Sequence, residues 1–142
     1  MLGIDTSLRA TGVGIVDMNG GRMRGVAFDV LRNPPCLPLS ACLLNLRRGL
    51  AAVIDEFRPE AAAIESVFFA RHARAALLLG HARGVAIATC AAAGLPVHEY
   101  EPRRVKQAVT GHGAAAKRQV QHMVAAQLSL AAPPPEDAAD AL

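Results

Sequence analysis

The order of strand and helix signals constrains this chain more than any single residue does. Three strand-like segments come first: Met1–Asp5, Thr11–Asp17 and Arg22–Leu31, with Asn19-Gly20-Gly21 as a turn between the last two. Helix and strand signals then alternate. After a proline-rich loop, Asn33–Pro38, Ser40 offers an N-cap, and Leu43, Leu46, Leu50, Val53, Ile54 and Phe57 recur at helical spacing until Pro59. Ala61–Glu65 reads as a short buried strand. Arg71–Ala93 reads as a long helix stopped by Gly94 and Pro96, and Val97–Tyr100 as a fifth strand. Pro102–Val109 and Ala115–Leu130 read as helices on either side of Gly111-His112-Gly113. Pro133-Pro134-Pro135 is a rigid linker, and Glu136–Leu142 starts a last helix. A meander followed by crossover helices specifies an α/β fold: a mixed five-stranded sheet flanked by helices. At 142 residues, residues 1–142 are expected to form a single domain.

Aromatic residues are scarce and alanine is abundant, so packing must bring small and aliphatic side chains close together. The long helix carries a ridge of small residues, Ala76, Gly80, Gly84 and Ala88. Such a ridge suits tight packing on the sheet, or the seam of a homodimer, or both on different faces. A membrane setting is excluded by Arg74, His81 and Arg83 in the same helix. The N-terminus lacks a basic segment followed by an apolar one, and no uncharged apolar run reaches the roughly 18 residues a span needs. Three cysteines, an odd number without a CxxC pair, argue against a disulfide framework or a thiolate zinc site. The expectation is a soluble, cytoplasmic protein.

Two predicted strands end in acids, Asp5 and Glu65. Sites in open α/β sheets form outside the carboxyl ends of strands, so neighbouring strands would bring these two carboxylates together. Asp137 and Asp140 stand three apart and share a helical face. Clustered carboxylates repel one another and are tolerated best around a divalent cation. All-oxygen ligation suits magnesium or manganese, and two such ions about 4 Å apart could activate water and steady the leaving oxygen of a phosphodiester. The plainer alternative is that Asp137 serves the helix dipole and Asp140 is a solvated surface acid.

The net charge of +3 permits a polyanionic partner without requiring one. Its placement is more telling. Arg103, Arg104 and Lys106 cluster at one helix start, Lys117 and Arg118 open the next, and Arg71, His72 and Arg74 open the long one. These are candidate phosphate contacts, though any one of them could be an ordinary solvated helix face. Phe68 and Phe69 follow Glu65 closely and could be core residues or wedges into unstacked bases.

Taken in order, several segments resemble the Holliday-junction resolvase family RuvC. They are Leu2-Gly-Ile-Asp5 with Thr11-Gly-Val-Gly14, Ala63-Ile-Glu65-Ser-Val-Phe68, Leu79-Gly-His-Ala-Arg-Gly-Val-Ala86, Val105-Lys-Gln107, Gly111-His-Gly113, Lys117-Arg-Gln-Val-Gln-His-Met123 and Asp137-Ala-Ala-Asp140-Ala-Leu142. The resemblance spans essentially the whole chain. It implies a ribonuclease-H-like fold and a homodimer that nicks two strands of like polarity at a four-way DNA junction, in recombination and repair. It implies four catalytic, metal-binding acids, Asp5, Glu65, Asp137 and Asp140, with two Mg2+ ions per subunit and Mn2+ as a substitute. Phe68 would be the wedge at the junction centre, and Lys106 and Lys117 would handle DNA backbone and assist catalysis. The RuvA–RuvB branch-migration complex would be a partner.

The chain departs from the family pattern twice. Thr6-Ser7 stands where Pro-Gly usually follows the first Asp, and a small polar pair can still make that turn. The family's last helix continues past the paired acids, whereas Leu142 is terminal here, so the C-terminal helix is expected to be truncated. A helix of about seven residues is marginal alone. This raises an alternative: a module that binds junctions but cleaves them poorly. A third reading rests on Asp5-Thr-Ser with Thr11-Gly, which also resembles the first phosphate loop of sugar kinases and actin-like ATPases. Those proteins need a second domain and a second phosphate loop, and neither is visible here.

Overall fold

The computed structural model describes residues 1–66 and 73–142. Strands β1 (Leu2–Asp5), β2 (Ala10–Asn19) and β3 (Arg22–Arg32) form the expected antiparallel meander. Helix α1 (Leu39–Phe57) leads to β4 (Ala62–Glu65), which lies parallel to β1, and α2 (Ala73–Ala92) leads to β5 (Val97–Tyr100), parallel to β4. Helices α3 (Pro102–Thr110), α4 (Lys117–Gln127) and α5 (Glu136–Ala141) complete the chain. The sheet order is β3-β2-β1-β4-β5, so the two strands that end in acids are neighbours.

Alternation sorts the sheet into two faces. Leu2, Ile4, Val13, Ile15, Ala62 and Ile64 meet Leu46, Leu50 and Ile54 of α1 and Ala82, Ala86 and Cys90 of α2. Each fully buried leucine in this layer is worth about 1.5–3 kcal/mol relative to exposure. On the other face, α4 packs through Val120, Val124 and Leu128 beside Val16 of β2. A register shift interrupts the β2–β3 ladder between Ile15 and Val16.

Several element ends differ from the sequence reading. Ser40 does not cap α1. Pro38 holds the cap position in an extended conformation without a side-chain cap bond, and its carbonyl accepts from the Cys42 N–H at 3.0 Å. Proline's fixed φ makes the transition two residues earlier than the serine signal. Helix α4 is shorter than Ala115–Leu130. Ala116 is extended, and at the far end Ser129 has a φ of 55°, which turns the Leu130 N–H back onto the Ala125 carbonyl. Residues 71 and 72 of the expected long helix lie outside the described residues. Cys36, Cys42 and Cys90 are free thiols, in keeping with the absence of a disulfide framework.

Candidate active site

The strand register brings the first two acids together. Ile4 pairs with Ile64, so Asp5 and Glu65 emerge side by side where β1 and β4 end. Both alternate away from the α1–α2 core and face the side on which α5 lies. The turn after Asp5 is closed by the buried Thr11: its hydroxyl donates to the Ser7 carbonyl and accepts from the Ser7 N–H at 3.3 Å. The Thr6-Ser7 turn is thus held by the Thr11 side chain on the Ser7 backbone.

The last two acids arrive on a helix that touches the sheet backbone directly. A Cβ added at Gly12 would lie 1.8 Å from the Asp137 carbonyl oxygen, and one at Gly3 would lie 1.7 Å from that of Ala141. Only glycine permits this approach. Because Gly12 is also the register partner of Asp5, the seat that receives Asp137 is the one opposite Asp5. Ala138, Ala139 and Ala141 are buried beneath α5, and its acids occupy the remaining face. Packing therefore supplies the stability that a helix of six residues lacks alone.

The electrostatics record the convergence. The Asp5 carboxyl is pushed up to about 6, first by burial and then by Asp140, Glu65 and Asp137, with Lys117 opposing. Glu65 is also raised, by burial and then Asp140, while Lys106 and Lys117 pull it down. The other three acids thus act on Asp5, with Lys117 opposing them there and Lys106 and Lys117 opposing them at Glu65. Lys117 contacts the Glu136 carboxylate and lies 3.6 Å from Asp140 Oδ2. The Glu136 contact raises the ammonium above its usual range.

Among the described residues, no three acids, histidines or cysteines already enclose a single ion position. The donor set is nonetheless composed of carboxylates alone, and its crowded negative charge is what a hard divalent cation offsets. The residues present therefore fit such an ion by the chemistry of their donors.

Of the other expected contacts, Arg74, Arg103, Arg104 and Arg118 are exposed. Arg103 lies along the Gly113 backbone, 2.8 Å from where a Cβ would stand. Phe68 and Arg71 lie outside the described residues. Three features escaped the sequence reading: the glycine seat, Glu136 as a partner of Lys117, and Arg83, which reaches the Glu65 carbonyl from α2. The small residues of β1 and β2 carried a signal for the first.

The mixed sheet with its crossover helices is the ribonuclease-H-like fold, and the chain is a nuclease of that class. The family model described as crossover junction endodeoxyribonuclease RuvC matches residues 1–142. RuvC of Chloroflexus aurantiacus is 49% identical over 142 residues, covering 99% of this chain and 87% of that protein. Thermus thermophilus RuvC, solved in complex with a Holliday junction substrate, superposes with a TM-score of 0.92 at 37% identity, over 99% of this chain and 86% of the other. The yeast mitochondrial Holliday junction resolvase Ydc2 shares the fold, with a TM-score of 0.70 at 11% identity, over 99% of this chain and 74% of the other. The chain belongs to the crossover junction endodeoxyribonuclease RuvC family. It is an endonuclease that resolves Holliday junctions.

Proposed function

We propose that Asp5, Glu65, Asp137 and Asp140 are the catalytic acids of this endonuclease and together hold Mg2+, two ions per subunit, with Mn2+ as a substitute. When bound, the cation supplies a more acidic water and offsets charge on the scissile phosphate. The chain's own residues do the rest. Asp5 and Glu65 fix one side of the site because the sheet holds their strands. Asp137 and Asp140 close the other side from α5. Lys106 and Lys117 border the acids and attract the phosphate backbone into a site that would otherwise repel it. Arg74, Arg103, Arg104 and Arg118 extend that attraction over the surrounding surface. Phe68 as wedge and Arg71 as phosphate contact remain part of the proposal on sequence grounds.

The working unit is a homodimer that nicks two strands of like polarity, with α2 as its seam. It acts in the cytoplasm with the RuvA–RuvB branch-migration complex. The observation that carries the reading is the geometric convergence of the acids: the β1–β4 register sets Asp5 beside Glu65, and α5 seats Asp137 against Gly12, the register partner of Asp5. The buried underside of α5 weighs against a module that binds without cutting. Asp5→Asn is expected to abolish nicking of a synthetic four-way junction while leaving its binding intact, read by gel cleavage and mobility shift. Full nicking by that variant would remove Asp5 from the site.

A further inference from the structure

Arg83 is a partly buried cation against the sheet, and the proposed chemistry does not use it. Its side chain is 13% exposed. From the middle of α2 it donates through Nη1 to the main-chain carbonyl of Glu65. Its Nη2 lies 2.6 Å from Glu99 Oε2 of β5. That second contact is an ion pair without the alignment of a hydrogen bond, and Nη2 has no other partner among the described residues. An ion pair whose carboxylate is 57% exposed adds little net stability. The position of Arg83 suggests another use.

Glu65 is the last residue of β4, and the β1–β4 ladder has already ended at Ile4 and Ile64. The Glu65 carbonyl therefore has no β1 partner, and its peptide plane is set by other contacts. On the β5 side, the Ser66 N–H donates to the Tyr100 carbonyl at 2.8 Å. Arg83 supplies the second hold. Both holds act on the one peptide unit that follows Glu65, its C=O from α2 and its N–H from β5, and so fix the orientation of that plane next to the Glu65 Cα. Glu99 neutralises the guanidinium from the adjacent strand, so the contact with Glu65 is to its backbone and leaves the carboxylate free.

We propose that Arg83 is a positioning residue for Glu65: it clamps the carbonyl at the end of β4, with Glu99 as its counter-ion, and so aims the Glu65 carboxylate into the acid cluster. The inference rests on the reading of Glu65 as a catalytic acid. Arg83→Ala, Arg83→Lys, Glu99→Gln and Glu65→Gln are compared with the parent dimer on a synthetic four-way junction, with Mn2+ affinity measured separately by calorimetry without DNA. Arg83→Ala is expected to lower kcat about 10- to 100-fold with little change in junction KM, since misaimed groups act on the chemical step. It should also weaken Mn2+ binding severalfold. Arg83→Lys, which keeps one donor and the charge, should recover part of both losses, and Glu99→Gln should fall between it and the parent.

The outcomes separate cleanly. Arg83→Ala within twofold of the parent in kcat and Mn2+ affinity overturns the clamp. So does an Arg83→Ala that fails to fold while Arg83→Lys and Glu99→Gln match the parent in both measurements. Loss of junction binding in step with cleavage in all three clamp variants overturns it in favour of general support. A fully active Glu65→Gln sinks the reading of the site itself, whereas an inactive Glu65→Gln beside a fully active Arg83→Ala sinks only this inference.

Discussion

Helix α2 has 20 residues and lies largely in the open, whereas α5 has six and is pressed onto bare strand backbone. The long helix is apolar around much of its circumference, buries only the stripe through Ala82, Ala86, Thr89 and Cys90, and leaves Leu77 65% exposed. By length and composition alone α2 could cross a membrane, yet its Arg83 is tied to the sheet at Glu65 and Glu99. The short helix inverts every one of these properties. It has no hydrophobic bulk, and its alanines work because Gly3 and Gly12 remove the side chains below them. Helix length is thus a poor guide to how firmly a segment is held; backbone proximity and burial decide it.

That contrast can be broken at either helix. The largest effect is expected at the seat of α5. Gly12→Val places atoms where the Asp137 carbonyl stands, so the helix must lift. Nicking of a four-way junction should fall at least about 100-fold, with a loss of about 2–3 kcal/mol in urea unfolding. Near-parental nicking would show that α5 does not need its seat.

A smaller effect is expected on α2. Leu77→Asp changes an exposed apolar position, so the folded chain should lose no more than about 0.5 kcal/mol. If α2 is the dimer seam, the same substitution should weaken association at least about tenfold, by about 1.4 kcal/mol. Sedimentation across a concentration series reads this directly. An unchanged dimer would move the seam elsewhere and leave α2's open face without that role.

The smallest effect is electrostatic and belongs to the acids between the two helices. The folded Asp5 carboxyl, at about 6, holds its proton more tightly than the ordinary value of 3.8 for the unfolded chain. Between those values the folded state binds more protons, so metal-free stability falls as pH rises through the window. The contribution is about 1 kcal/mol after allowance for partial solvent screening. Urea midpoints of the metal-free protein at pH 4.5 and 7 should show the decline, and Asp5→Asn should flatten it.

Much of the architecture was legible because its signals are local. Period-two alternation marked the meander, Gly20 and Gly21 marked its turn, and Asp5 and Glu65 stood at the ends of apolar runs. Element ends were less legible where backbone geometry overrode a side-chain cue, as at Pro38 against Ser40 and at the turn through Ser129. Asp137 and Asp140 had the right spacing, but their support could not be read from α5 itself. It comes from glycines more than a hundred positions earlier, whose meaning appears only when the strand meets the helix. Arg83 was legible as a charge in an apolar helix. Its partners, a main-chain carbonyl and an acid on another strand, leave no mark in the surrounding residues.

The seat of α5 also orders events in time. Its contacts join residues from opposite ends of the sequence, and loop closure of that length is among the last steps a folding chain completes. Glu65 and Asp5 can stand ready on the sheet while the remaining two acids are still being synthesised. On the proposed reading of the site, a nascent or half-folded chain carries only two of its four acids in place and should not cut. On that reading, nuclease activity becomes available only once the sheet is in place to receive α5.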